Sequence, residues 1–141
     1  MKLNLSSQIV LNKIPEEFYH PRTAVERSEL TRCEKIPTDI FPKVEEGAEN
    51  IADEVMRLIN QRRHEGRYCV LGLGTGKSLA PVYDALIDRY ERRLVSFSNV
   101  VVFNAYEYFP LDTTSAHSSI AQLHDMLLDH VDINEQNIFT P

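Results

Sequence analysis

The stretch that most constrains the fold is Tyr68-Cys-Val-Leu-Gly-Leu-Gly-Thr-Gly-Lys-Ser78. A short apolar run leads into a glycine-rich turn, and a helical pattern follows. Glycines let the main chain turn tightly and come close to a ligand. The helix after such a turn begins with free N–H groups and the positive end of its dipole. Strand, glycine turn and helix in this order build an anion site out of backbone. A phosphate-bearing small molecule is the expected ligand.

The neighbouring segments place this turn in a parallel α/β unit. From about Val44 to Arg63, the residues Ala48, Ile51, Ala52, Val55, Leu58 and Ile59 recur at helical spacing. Arg62-Arg-His64 suits the negative end of that helix, and Gly66 stops it. Tyr68 to Leu73 is apolar on both faces, so a central parallel strand is expected. From about Ser78 to Arg92, the residues Leu79, Val82, Tyr83, Leu86, Ile87 and Tyr90 form a second helical stripe. Asn99-Val-Val-Val-Phe103 is a second strand, parallel to the first. A third helix is expected from about Ser118 to Asp129, and Asn137-Ile-Phe139 begins a further strand. The residues before these, 1–34, have no clear period and read as an amino-terminal arm or extension. Lys35 to Phe41 reads as a short edge strand interrupted by Pro37. The domain proper therefore spans 35–141. Its fold class is α/β, a Rossmann-like parallel sheet with flanking helices.

Bulk properties exclude several function classes. The chain has 141 residues, 43% hydrophobic and 26% charged, as in an ordinary single domain. A net charge of −6 argues against an extended nucleic-acid surface. No segment has the length and apolarity of a membrane span, and Met1 to Glu17 lacks a signal-peptide core. A cytoplasmic protein is expected. Cys33 and Cys69 have no metal-ligand spacing. His117, His124 and His130 are spaced by seven and six, which gives no metal pair on a helix. No metal or cofactor is expected, and His124 and His130 read as ordinary helix residues. His117 precedes the expected third helix beside Ser118, where it reads as an ordinary residue that could also reach a ligand.

In an open α/β sheet, ligands bind beyond the carboxyl ends of the strands. One end delivers Gly74-Thr-Gly-Lys77 and the other Asn104-Ala-Tyr-Glu-Tyr108. Two glycine motifs fail by one position each. The nucleotide P-loop requires glycine where Leu71 stands, and the dinucleotide fingerprint requires glycine where Lys77 stands. A plain strand-to-helix turn would account for the glycines alone, but not for Thr75, Lys77 and Ser78 beside them.

Three separated motifs then occur in one order. They are Gly72-Leu-Gly-Thr-Gly76, then Val101-Val-Phe-Asn104 with Glu107-Tyr108, then Asp129-His-Val-Asp-Ile133. Together they resemble the glucosamine-6-phosphate deaminase/isomerase family, which includes 6-phosphogluconolactonases. The resemblance runs from about Lys35 to the end. It implies a domain that binds a phosphorylated sugar, held at Gly74, Thr75, Gly76, Lys77 and Ser78, with Ser118 at a family serine. The implied reaction is aldose–ketose isomerisation with loss of ammonia, by acid–base catalysis. The family's deaminases carry a second glycine where Lys77 stands, and the aspartate that moves the proton where Tyr106 stands. A phenol with pKa about 10 is a poor base near neutral pH, whereas a carboxylate near 4 is ionised. Glu107 is therefore the expected base, with Tyr106 as the other candidate catalytic residue. The family's catalytic histidine lies beyond the segment matched here. The chain thus reads as the amino-terminal half of a family domain, expected to form a homo-oligomer or to associate with the remainder of that domain. The alternatives are a non-catalytic sugar-phosphate sensor or scaffold, and a nucleotide-binding module.

Overall fold

A computed structural model describes residues 21–36 and 38–141. Readings made on residues 1–20 and on Pro37 lie outside the described residues. The chain divides into two compact units, 1–43 and 44–141.

In the first unit, helix α1 spans Ala24–Thr31. This helix lies within the segment read as an arm or extension, and none of its residues is buried. Thr23 and Glu26 form a reciprocal capping box, which satisfies two N–H groups that a helix start leaves open. Arg27 pairs with Asp39 across the following turn. No strand forms at Thr38 to Phe41, so the expected edge strand is absent among the described residues.

The second unit has the order α2 (Val44–His64), β1 (Cys69–Leu73), α3 (Ala80–Glu91), β2 (Val100–Asn104), α4 (Ser119–Met126) and β3 (Ile138–Phe139). The three strands are parallel, in the order β1-β2-β3. Ala48, Ala52 and Ile59 carry the buried stripe of α2, with Val55 and Met56 beside it. Ile51 and Leu58, expected inward, lie at its exposed flank. Gly66, at φ 67°, ends the helix in a left-handed turn that satisfies the carbonyls of Arg62 and Arg63.

Val82, Tyr83, Ala85 and Leu86 of α3 pack inward, and Phe97, Val100, Val102, Leu123 and Leu127 complete the core. The second helix starts at Ala80, with Pro81 in its first turn, rather than at Ser78. The third ends at Met126 and passes into a short 3₁₀ turn at Leu128–His130.

One sequence expectation is reversed. β1 lies at the sheet edge, with β2 between it and β3. Cys69 is buried but Val70 is 61% exposed, because only one face of the strand is covered among the described residues. Val70, Phe103 and Phe139 fall on that open face by strand register, and the rings of Phe103 and Phe139 stack at 5.1 Å.

Candidate phosphate-binding site

The carboxyl ends of β1 and β2 lie side by side, since Leu73 pairs with Asn104 and Ala105 N donates to the Leu73 carbonyl at 2.7 Å. Two loops start from this shared edge. The first is the glycine turn, in which Leu79 N closes onto the Gly76 carbonyl at 3.0 Å just before α3. The backbone N–H groups of Thr75, Gly76, Lys77 and Ser78 have no acceptor among the described residues. Four consecutive open donors next to a helix start are suited to an anion. Of the glycines here, only Gly76 is required by its backbone: its φ of 141° is one that side-chain-bearing residues rarely adopt. A Cβ at Gly74 would meet Tyr106 and Ala105 at ordinary contact distances of 3.7 and 3.8 Å. The side chains of Lys77 and Ser78 are exposed.

The second loop separates the two residues expected to share the catalytic role. Tyr106 turns toward the glycine loop. Its hydroxyl lies 2.8 Å from Thr75 Oγ1 and donates to the Thr75 carbonyl at 3.2 Å. Glu107 turns the other way, toward the start of α4. Its carboxylate accepts from Ser118 Oγ at 2.7 Å, Ser119 N at 3.0 Å, Ile120 N at 3.1 Å and Tyr108 N at 2.9 Å. The Ile120 and Ser119 N–H groups, followed by Ser118 and Tyr108, hold its pKa down to about 2. A carboxylate whose lone pairs meet four donors is a weak proton acceptor. As the chain stands, the carboxylate of Glu107, the expected base, is engaged as an anionic cap at the start of α4.

Ser118 shares that structural role. It is fully buried, donates to Glu107 and accepts from Ala121 N at 3.4 Å as the helix cap. His117 is exposed, and its backbone N donates to Ser115 Oγ. His124 pairs with Asp129 at 2.8 Å, away from either loop.

Three residues join the site that sequence reasoning assigned to other roles or passed over. Tyr83, read as core, donates its hydroxyl to the Gly74 carbonyl at 2.6 Å. Asn104 donates to the Tyr106 carbonyl at 2.9 Å and accepts from Ser119 Oγ at 3.1 Å. Ser119 Oγ is 3.4 Å from Thr75 Oγ1, which closes a ring of polar contacts from β2 through α4 to the glycine loop. An Asn at the end of an apolar strand, two residues before a Tyr, is the sequence feature that could have marked Asn104.

No family model matches the chain. A glucosamine-6-phosphate deaminase-like protein of Bacteroides thetaiotaomicron is 52% identical over 141 residues, which is 100% of this chain and 21% of that protein. The glucosamine-6-phosphate deaminase of Colwellia psychrerythraea is 35% identical over 102 residues, 72% of this chain and 37% of its own length. The solved structure of a monomeric glucosamine-6-phosphate deaminase, described as a missing link of the NagB superfamily, superposes with a TM-score of 0.65 at 26% identity. That match covers 70% of this chain and 39% of the other. Over this segment the chain is similar to glucosamine-6-phosphate deaminases. It spans about a fifth of the Bacteroides relative and under two fifths of the Colwellia deaminase. Within this segment, no helix among the described residues is long and apolar enough to cross a membrane, and no described group of His, Cys, Asp or Glu is arranged to hold a metal.

Proposed function

We propose that this chain is the phosphate-holding part of a glucosamine-6-phosphate deaminase-like protein, and that its ligand is an amino-sugar phosphate. The observation that carries the reading is the run of unpartnered N–H groups from Thr75 to Ser78 at the strand edge where α/β sheets bind ligands. Similarity to relatives that bear the name glucosamine-6-phosphate deaminase suggests the ligand class. The phosphate accepts from the loop N–H groups, and the Lys77 ammonium reaches it from the exposed side of the turn. The sugar extends toward Tyr106 and Tyr108, which lie edge to face at 5.8 Å.

In the intact protein the reaction would move a proton between sugar carbons 1 and 2 and release ammonia. Among the described residues, the carboxylate that follows β2 most closely, Glu107, is already engaged. Tyr106 occupies the position of the family aspartate, and Glu107 is engaged with α4. The same observation favours the second reading, a sugar-phosphate sensor or scaffold domain that binds without turnover.

Calorimetry on the intact protein tests the reading with glucosamine 6-phosphate, inorganic phosphate and ATP. Glucosamine 6-phosphate should bind more tightly than either, and Lys77→Ala should weaken it about tenfold, the effect of losing one charge-assisted contact. Preference for ATP would overturn the proposal in favour of a nucleotide module. Ammonia release by the wild type would decide between enzyme and sensor.

A further inference from the structure

The turn after β1 is held by two tyrosine hydroxyls acting on consecutive peptide groups. Tyr83 from α3 donates to the Gly74 carbonyl, and Tyr106 from the loop after β2 donates to the Thr75 carbonyl. A trans peptide is planar and carries its N–H opposite its carbonyl. Fixing the Gly74 carbonyl therefore fixes the direction of the Thr75 N–H. Fixing the Thr75 carbonyl does the same for the Gly76 N–H. Each N–H is turned away from the hydroxyl that clamps its peptide, and neither has an acceptor among the described residues.

Both clamps are themselves anchored. Tyr83 is buried in the stripe of α3, and desolvation pushes its hydroxyl pKa up, so it stays protonated and remains a donor. Tyr106 is tied through its own carbonyl to the Asn104 amide, whose oxygen is occupied by Ser119. The backbone at Gly76, φ 141°, then opens the turn so that the N–H groups of Lys77 and Ser78 follow without partners.

We propose that Tyr83 and Tyr106 are positioning residues that preorganise the Thr75 and Gly76 N–H groups into a main-chain nest for the phosphate of a phosphorylated sugar. This rests on the phosphate-site reading above. The clamp gives the phenol at position 106 a role that a carboxylate cannot fill. An aspartate has no proton to donate to the Thr75 carbonyl, and its charge would stand against both that carbonyl and the incoming anion. Where the family resemblance places an aspartate, Tyr106 offers a donor to the Thr75 carbonyl in place of a base.

The test uses the intact protein as wild type, Tyr83→Phe, Tyr106→Phe, Tyr106→Asp and Lys77→Ala. Inorganic phosphate and glucosamine 6-phosphate are titrated at fixed ionic strength by calorimetry. The amide shifts of Thr75 and Gly76 are followed by NMR. Each Phe variant should weaken phosphate binding about threefold to tenfold, the range expected for one neutral hydrogen bond. Tyr106→Asp should weaken it by more than Tyr106→Phe. Tyr83→Phe should diminish the response of the Thr75 amide, and Tyr106→Phe that of Gly76. A general loss of structure would not produce this pairing of residue with amide. If Tyr83→Phe does not fold, Tyr106→Phe and the Gly76 amide decide. Binding that Lys77→Ala weakens but both Phe variants leave unchanged overturns the clamp and leaves the phosphate site standing. Absence of any phosphate binding by the wild type overturns both.

Discussion

Arg89 on α3 reaches Asp53 on α2 through two guanidinium nitrogens, at 2.9 and 2.7 Å from one carboxylate oxygen. Glu49, one turn earlier on α2, meets the same guanidinium at 2.7 Å. The Arg89 side chain is 6% exposed, while those of Glu49 and Asp53 are 61% and 62% exposed. The pair is therefore asymmetric. Replacing Arg89 with Met keeps the packing and returns two carboxylates to water, at an expected cost of about 1–3 kcal/mol. Removing both carboxylates leaves a buried charge with only backbone acceptors. Glu49→Ala with Asp53→Ala should therefore cost about 3–5 kcal/mol. Urea unfolding of the two variants checks the order.

Glu107 makes stability depend on acid. Its folded pKa, about 2, lies below the ordinary value of 4.5. The folded state thus favours the ionised form. The stabilisation is fully present above about pH 4.5 and is lost as pH falls from there toward 2. Glu107→Gln should lower the melting temperature at pH 7 and flatten its decline across that window. A melting curve for the variant with the wild type's acid dependence would remove Glu107 from this role.

Ammonia release separates the two residues of the second loop. Glu107→Gln should reduce any native turnover only in proportion to lost folded protein, because the carboxylate acts on α4. Tyr106→Asp should create or raise deamination if the remaining family geometry is present. Rates corrected for folded fraction by circular dichroism decide this. Abolition of turnover in folded Glu107→Gln would restore Glu107 as the base.

Gly76 is the backbone position that tolerates substitution least in the loop, at φ 141°. Gly76→Ala should destabilise by about 1–3 kcal/mol and abolish phosphate binding at millimolar concentrations. Gly72→Ala, where a Cβ meets nothing within 4 Å, should leave both nearly unchanged.

The open sheet face predicts association of the 141-residue chain produced alone. Val70, Phe103 and Phe139 form an apolar strip along it, and the outer edge of β1 has no paired strand among the described residues. Light scattering should show oligomers that Phe103→Ser with Phe139→Ser reduces. A monodisperse monomer at high concentration would contradict this.

The strand–turn–helix–strand order was legible because apolar run lengths and glycines report local geometry directly. The place of Thr75 in the turn after β1 was legible for the same reason. β1 was misplaced to the centre because an apolar run looks alike whether its second face is covered or bare, as Val70 shows. The direction of Glu107 was hidden. It depends on β2 ending at Asn104 and on α4 presenting the N–H groups of Ser119 and Ile120, which lie more than ten residues away. Tyr83 was hidden in another way: a phenol on an apolar stripe reads as core, and its hydroxyl's partner comes from a different element. The α1 capping box was written plainly in Thr23 and Glu26, without the apolar stripe that usually marks a helix.

The carboxylate that caps α4 also gives the cleft a direction. Two helix starts lie near the same strand edge, and each could in principle attract an anion. The start of α4 already holds one of the protein's own, whereas the N–H groups of the glycine turn before α3 have no acceptor among the described residues. A sugar with a phosphate at one end and a hydroxyl or amine at the other is then not free to enter either way round. On the proposed phosphate site, the charged end of such a sugar is sorted to the glycine turn before any group on the ring is recognised, and Glu107 sets that orientation by occupying the other helix start.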